Sequence, residues 1–241
     1  GTEESIKLLE KNDLEDFHSK HYLNEGICFS IAGNLSKDTY KAFEDNDFSR
    51  IIRQTSNGNS HLKNDNKKNI NVIARTGREE VTFENLEFSR IYMAWNIPSL
   101  NDQKKIIGLE ILASILSVGR NSRLVKVLRE EKDLVESVYV DVNAGELGGL
   151  LIIEACCEKK DLKSVEKQIN EIIYEISDYK NLTLDEIRKA TNIVKSNYLF
   201  NLETSSQLSS FFGNELLWGR KNSIRNLDSH LKYWNNLRNF K

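Results

Sequence analysis

The stretch Gly119-Arg-Asn-Ser-Arg-Leu124, followed by Leu128-Arg-Glu-Glu-Lys-Asp-Leu134, lies at the centre of the chain and decides its fold. Before it, Asp102 begins a helix whose apolar residues lie all around the helix axis, which is typical of a buried helix, and Gly119 ends that helix. A second helix is predicted from Ser122 to about Glu131. The stretch is therefore interpreted as the link between two helices that precede a pair of strands.

Three segments around this stretch predict β-strands. Residues 88–97 alternate in side-chain direction until Pro98, which lacks a hydrogen-bond donor and ends the strand. Residues 136–143 and 150–157 flank a glycine-rich turn, which predicts an antiparallel hairpin. In the first strand both sets of alternating side chains are apolar or aromatic, so we expect both of its faces to be covered.

The carboxyl-terminal third is predicted to be helical. Asp161, the capping box Thr183-Leu-Asp-Glu186 and Ser205 each begin a segment with apolar residues at helical spacing. A helix-like pattern also runs from Leu231 to Phe240.

The amino-terminal part mixes helix and strand signals. A helix begins at Asn12, residues 27–33 alternate as a strand, and Ser36 begins a helix that extends to about Ile52. Residues 54–71 are polar and without periodicity, which predicts a surface loop. The order of elements indicates an α+β fold of two layers, with an antiparallel or mixed sheet covered by helices.

Composition argues against several classes of protein. The 241 residues carry 34 basic and 36 acidic side chains, so the extended positive field of a nucleic-acid-binding protein is not expected. No apolar run approaches the roughly 20 residues that span a bilayer, so we expect no membrane partner. The three cysteines, Cys28, Cys156 and Cys157, leave one unpaired in any disulfide scheme, and we predict buried thiols.

Motifs alone do not indicate a complete active site. His18 and His21 have a spacing at which one helix face presents both to a metal, but zinc needs at least a third ligand that the sequence does not indicate. We therefore predict a partly exposed His18 and a half-packed His21 beside Tyr22. Because nucleophile-elbow and phosphate-binding glycine motifs are also missing, no catalytic residue, metal ligand or cofactor site is predicted in this chain.

Four ordered segments resemble the pitrilysin/insulinase-type zinc metallopeptidases, the family that includes mitochondrial processing peptidase. They are Leu14-Glu-Asp-Phe-His-Ser-Lys-His-Tyr22, Ile27-Cys-Phe-Ser-Ile-Ala-Gly-Asn34 and the two central segments 119–124 and 128–134. Each segment is weak by itself, but their order and spacing are specific and extend over nearly the whole chain. The resemblance implies a metallopeptidase half-domain of the LuxS/processing-peptidase type, in which similar domains enclose a chamber.

The resemblance also implies that zinc is bound outside this chain. In the family, one domain copy carries an H-x-x-E-H motif on the helix after its first strand, but residues 36–52 contain no histidine here. We therefore expect residues 1–241 to be a single non-catalytic domain, the second of its subunit and a fragment of a longer chain. Zinc is expected in a separate catalytic domain if the parent protein is active.

The resemblance points to Arg129 as a substrate contact. In active members the second domain contributes an arginine and, seven residues later, a tyrosine, which donate hydrogen bonds to substrate carbonyl groups. The arginine aligns with Arg129, but the tyrosine position holds Glu136, whose carboxylate only accepts hydrogen bonds. Either Arg129 forms an ion pair with Glu136, or Arg129 alone keeps the contact. Tyr139 is not expected to replace the tyrosine, because residues three apart on a strand face opposite sides.

The predicted function is that of a zinc-free C-terminal domain of a zinc metallopeptidase or of its inactive partner subunit. Such a domain would close the peptide-binding chamber and contact the substrate. Its partners would be a catalytic domain, in the same chain or in a partner subunit, and an extended peptide. The alternative, which Glu136 favours, is a structural or assembly subunit of the same fold without a protease role.

Overall fold

The computed structural model describes residues 1–22, 28–44, 73–220 and 223–240. The chain divides into two compact units, one of Gly1–Lys68 with Asn201–Lys221 and the other of Asn69–Phe200 with Asn222–Lys241. The assignment of residues 1–241 to a single non-catalytic domain stays a prediction.

The described chain combines helices with three antiparallel strands, which gives an α+β fold. The strands are β1 (Ser89–Ile97), β2 (Ser137–Gly145) and β3 (Gly148–Cys157). The described α-helices are α1 (Glu3–Lys7), α2 (Lys11–Tyr22), α3 (Lys37–Glu44), α4 (Gln103–Ser117), α5 (Leu162–Ser177), α6 (Leu184–Phe200), α7 (Ser205–Leu217) and α8 (Ser223–Trp234). A π-helix covers Val125–Glu131, and 3-10 turns cover Lys159–Asp161, Tyr179–Asn181 and Leu237–Phe240.

The sheet has the strand order β1-β3-β2 and is antiparallel throughout, which confirms the predicted hairpin. A turn of two residues, Glu146 and Leu147, joins β2 to β3. Gly149, just after this turn, has no room for a side chain, because a Cβ atom there would lie 2.4 Å from the carbonyl oxygen of Asn143. The close approach of the two backbones therefore requires glycine at this position.

The two faces of the sheet lie in different environments. Alternate residues of β1 and β3, including Ile97 and Ile153, are buried in the core, whereas Tyr92 and Tyr139 on the opposite face are 61% and 63% exposed. The expectation that both faces of β1 are covered is therefore wrong. Tyr92 tolerates exposure because its phenol is polar, and it donates a hydrogen bond to Glu154 at 3.1 Å.

Helices α4 and α5 and the π-helix cover the core face of the sheet. The fully buried residues of this cluster include Leu116, Leu128, Ile153 and Ile169. As predicted, Asp102 precedes α4 and accepts a hydrogen bond from the backbone N–H of Lys105 at 3.3 Å. The cysteines are free thiols, but only Cys157 is buried as predicted, since Cys28 and Cys156 are partly exposed.

Helix α4 also packs against α6 and α8 on its other side. Ile111, Ile187 and Leu231 are among the buried residues of this second cluster. Contact on both sides explains why apolar residues lie all around α4. The predicted capping box at the start of α6 is present, because Thr183 N–H donates to Glu186 and Glu186 N–H donates to Thr183 Oγ1, at 2.9 and 3.2 Å.

The smaller unit contains α1, α2, α3 and α7. The predicted strand at 27–33 is wrong for residues 28–33, which form no regular structure. An alternating pattern does not suffice there, because a strand needs a hydrogen-bonded partner and the described part of this unit contains none. Ser36 precedes α3 as predicted and accepts a hydrogen bond from Thr39 N–H at 3.1 Å. The rest of that predicted helix, from residue 45, and the predicted loop 54–71 lie outside the described residues.

Candidate functional site

A pocket of about 210 Å³ lies where the end of α4, the π-helix and β2 meet. The residues that line it are Ser117, Gly119, Arg120, Val125, Arg129, Ser137, Val138 and Tyr139. In the described sheet β2 is an edge strand, so the pocket lies beside a strand edge that no other strand covers. The predicted substrate contact, Arg129, is therefore part of a concave surface next to the edge of the described sheet.

Ser117 attaches α4 to this strand edge. Its hydroxyl accepts a hydrogen bond from the backbone N–H of Val140 at 3.1 Å and donates one to the carbonyl oxygen of Ala113 at 3.2 Å. Gly119 then turns the chain with a φ of 90°, a left-handed conformation that glycine adopts without steric cost. This turn explains why a glycine begins the central motif and brings Arg120 to the rim of the pocket.

The helix predicted after this turn is present, but its regular part is a π-helix rather than an α-helix. The backbone N–H of Lys132 donates to the carbonyl oxygen of Val127, five residues earlier, at 3.1 Å. Val125 and Leu128 are buried and attach this helix to the core, whereas Arg129 is partly exposed at the pocket. Because π-helices are rare and occur often at functional sites, this one is consistent with a site at Arg129.

Arg123, the arginine of the Ser-Arg-Leu segment, positions the motif by an ion pair to α6. Its Nε donates to Glu186 at 2.7 Å, and its Nη2 donates to the carbonyl oxygen of Asn181 at 2.5 Å. Burial raises the pKa of Glu186, but hydrogen bonds from Arg123 and Thr183 outweigh burial and lower that pKa to about 2. Arg123 therefore has a structural role and does not reach the pocket.

Arg129 pairs with Glu130, not with Glu136. Its Nε and Nη2 donate to Glu130 Oε1 at 3.0 and 2.8 Å. Arg120 donates to the other oxygen, Oε2, from Nη2 at 2.8 Å and from Nε at 3.3 Å. The hydrogen bond from Arg120 and that from Arg129 lower the pKa of Glu130. One carboxylate therefore lies between two guanidinium groups.

Glu136 lies just before β2 and is exposed, with its backbone N–H donating to the carbonyl oxygen of Cys156 at 2.9 Å. Within the ranges that the structure describes, its carboxylate forms no ion pair, so an Arg129–Glu136 pair is the wrong alternative. Glu130, not Glu136, is the carboxylate that accepts hydrogen bonds from both Arg120 and Arg129.

Tyr139 lines the same pocket as Arg129, and the expectation that it does not replace the tyrosine as a substrate contact stays a prediction. Side-chain alternation holds along β2, since Val138 is buried and Tyr139 is exposed. However, the pocket lies at the edge of the strand, where residues of both faces reach it. Arg120 and Ser137 also line the pocket but were not predicted from the sequence. The signal for Arg120 was its place as the second residue of the central motif.

The pocket is rich in hydrogen-bond donors. Two guanidinium groups, a phenol and two serine hydroxyls lie on its lining, of which the Ser117 hydroxyl already donates to Ala113, and no lining residue carries a carboxylate. This set can hold a carbonyl or carboxylate oxygen, but it contains no group that would act as a nucleophile beside a base.

The histidines of α2 pack against aromatic side chains of the same helix. The ring of His18 stacks on Tyr22 with centroids 5.4 Å apart, and the ring of His21 lies 4.5 Å from that of Phe17. Both histidines are exposed, so the expectation that His21 packs beside Tyr22 is wrong. Among the described residues, no group of three or more His, Cys, Asp or Glu side chains could hold a metal ion. None of the described helices has the length and apolarity needed to cross a membrane.

Comparison with protein families and curated proteins identifies relatives of this chain. The family model described as the Peptidase M16 inactive domain matches residues 9–194. An uncharacterized zinc protease of Mycobacterium leprae is 25% identical over 226 residues, which are 93% of this chain and 49% of the relative. One from Bacillus subtilis is 24% identical over 232 residues, 96% of this chain and 54% of the relative. The chain thus spans about half the length of these relatives.

Comparison with solved structures finds the same fold at low sequence identity. A protease from Helicobacter pylori superposes with a TM-score of 0.67 at 16% identity, covering 100% of this chain and 57% of that one. A peptidase M16 inactive domain from Pseudomonas fluorescens gives a TM-score of 0.60 at 15% identity, covering 100% and 55%. These likenesses concern the fold alone, and they agree with the half-domain that the motifs predicted. The family match, which extends over residues 9–194, establishes that this chain belongs to the Peptidase M16 inactive domain family.

Proposed function

We propose that this chain is the zinc-free C-terminal domain of a zinc metallopeptidase, or of the inactive partner subunit of one. In this proposal it closes the peptide-binding chamber and contacts an extended peptide through Arg129. The observation that carries the proposal is the position of Arg129 in a donor-rich pocket at the edge of β2 with which no other described strand pairs. Zinc and the hydrolytic step would belong to a catalytic domain in the same chain or in a partner subunit.

The free donors of Arg129 support a role in peptide binding. Its Nε and Nη2 donate to Glu130, while its Nη1 donates to no group in the described part of the chain. A guanidinium held by one carboxylate is pre-organised, so less side-chain entropy is lost when its remaining N–H groups bind a peptide oxygen. An oxygen that gains negative charge during hydrolysis would be stabilised by the same donors.

The test is the cleavage of an unfolded peptide by the complete protein that contains this chain. We expect Arg129→Gln to lower kcat/KM at least tenfold, which corresponds to about 1.4 kcal/mol of lost stabilisation. Arg78→Gln is the matched control, because Arg78 is an exposed arginine paired with Glu166 and does not line the pocket. Equal kcat/KM for Arg129→Gln and wild type would refute the role of Arg129.

The zinc-free assignment needs a separate experiment on the 241-residue chain alone. We expect metal analysis to find no stoichiometric zinc and the chain to hydrolyse no peptide, because no ligand set is present among its described residues. Bound zinc in a one-to-one ratio, or hydrolysis that a zinc chelator abolishes, would contradict the assignment.

The second candidate function is a structural or assembly subunit without a protease role. Glu136 favours it, because an exposed carboxylate stands where a phenol would donate to substrate. Glu136→Tyr in the complete protein discriminates the two functions. An increase in peptide cleavage would mean that a substrate contact has been weakened in a working peptidase. A protein that cleaves no peptide with either residue, yet still assembles with its partner, would favour the structural function.

A further inference from the structure

The charges around the pocket do not balance. Its lining contains two arginines and no acidic residue. Glu130 neutralises one of these positive charges, and Glu131 pairs with Lys126 at 3.6 Å. Glu136 is adjacent to the lining residue Ser137 but is exposed and does not itself line the pocket. Arg120, Arg129 and Glu130 together therefore carry one net positive charge at the pocket. Binding of a neutral carbonyl group would not require this charge.

Both arginines keep donors that can reach a ligand. Each guanidinium donates from Nε and Nη2 to a different oxygen of Glu130, and neither Nη1 group donates to any residue that the structure describes. The hydroxyl groups of Ser137 and Tyr139 add further donors on the β2 side of the pocket. Donors thus surround the pocket from the motif, the π-helix and the edge strand.

The size of the pocket limits what it can hold. Pockets for whole small molecules have volumes of about 300–1,000 Å³, and this one has about 210 Å³. It is therefore suited to one side chain or one chain end. Among such groups, a carboxylate matches both the net positive charge and the forked geometry of guanidinium donors.

We propose that this pocket binds a carboxylate of the peptide substrate, so that the chain selects peptides with an acidic group next to the segment that Arg129 contacts. The inference rests on the proposed function, since it assumes that a peptide lies beside β2. The carboxylate belongs either to an aspartate or glutamate side chain or to the carboxyl terminus of the peptide. Glu130 occupies the same arginines and therefore competes with the ligand.

The experiment measures binding of three labelled peptides of identical core sequence by fluorescence anisotropy, using the complete protein that contains this chain with its metal removed by a chelator so that the peptides are not cleaved. One peptide has a blocked carboxyl terminus and an internal glutamate, the second has glutamine instead, and the third has this glutamine and a free carboxyl terminus. We expect at least one of the two carboxylate peptides to bind about tenfold more tightly than the blocked glutamine peptide. Which of them binds more tightly identifies the source of the carboxylate.

Variants of the pocket sharpen the test. Arg120→Gln and Arg129→Gln should each remove most of the preference for a carboxylate, and Tyr139→Phe should weaken it by about threefold. Glu130→Gln should instead strengthen binding of the carboxylate peptide by about threefold, because it removes the competing charge. Arg78→Gln is again the control, and circular dichroism spectra establish that each variant is folded.

Two results would overturn the inference in distinguishable ways. Equal affinity for all three peptides, together with weaker binding of all three by Arg129→Gln, would refute the carboxylate pocket and leave the proposed peptide contact intact. If Arg129→Gln leaves the affinity for all three peptides unchanged, or if the complete wild-type protein binds none of them, the inference and the peptide contact are refuted together.

Discussion

Glu110 in α4 should make the stability of the chain depend on pH near neutrality. The Oε2 atom of Glu110 is buried without a hydrogen-bond partner among the described residues, while Oε1 accepts a hydrogen bond from the hydroxyl of Tyr198 at 3.2 Å. Burial raises the pKa of Glu110 to about 7, against a smaller opposing effect of the Tyr198 hydrogen bond. The folded chain therefore prefers the protonated, neutral carboxyl group.

The sign and size of the effect follow from proton linkage. Between pH 4.5, the ordinary pKa, and about 7, the folded chain holds a proton that the unfolded chain has released, so the free energy of unfolding falls as pH rises. A shift of this size corresponds to about 3 kcal/mol at most. Since part of the Glu110 side chain still reaches solvent, we expect about 2 kcal/mol.

The perturbation is Glu110→Gln, which keeps the shape of the protonated side chain and cannot ionise. We expect the variant to exceed wild type in free energy of unfolding by about 2 kcal/mol at pH 8 and to match it within about 0.5 kcal/mol at pH 4.5. Urea unfolding followed by circular dichroism measures both values. Glu79→Gln, an exposed position in the same unit, is the control. A stability difference that is the same at both pH values would refute the reasoning.

Three further substitutions test the scaffold by urea unfolding. Arg123→Ala should lower the free energy of unfolding by about 2 kcal/mol at pH 7, because Glu186 loses its buried partner. Since the pKa of Glu186 is lowered to about 2, this loss should shrink as pH falls from 4.5 towards 2, and a loss independent of pH would contradict the ion pair. Asp133 has a φ of 50°, a left-handed conformation that costs energy for any residue with a Cβ atom and that glycine adopts freely. Asp133→Gly should therefore raise the free energy of unfolding by about 0.5–1 kcal/mol. An unchanged value would show that the backbone is not strained at this position. Gly149→Ala should lower it by about 2 kcal/mol or more, and a neutral effect would mean that β2 can move away from the added methyl group.

Much of the fold was predictable from local signals. The pattern of β1, the turn between β2 and β3, and the capping box at Thr183 each depend on residues close together in sequence, and all three are present. The prediction of a strand was wrong for residues 28–33, because strand formation depends on a partner strand elsewhere in the chain. The π-helix at Val125–Glu131 was not predicted either. Its residues Val125 and Leu128 pack into the core, and helix propensity carries no information about such tertiary contacts.

For the candidate site, sequence and tertiary structure determined different things. The sequence by itself determined the family, the absence of histidine from residues 36–52 and the identity of Arg129 as the candidate contact. Only the tertiary structure decided that Arg129 pairs with Glu130 rather than Glu136, and that Arg120 and Tyr139 share its pocket. The physical reason is that motif spacing specifies which residues are present, whereas pairing and shared pockets depend on distances between side chains that the folded backbone sets.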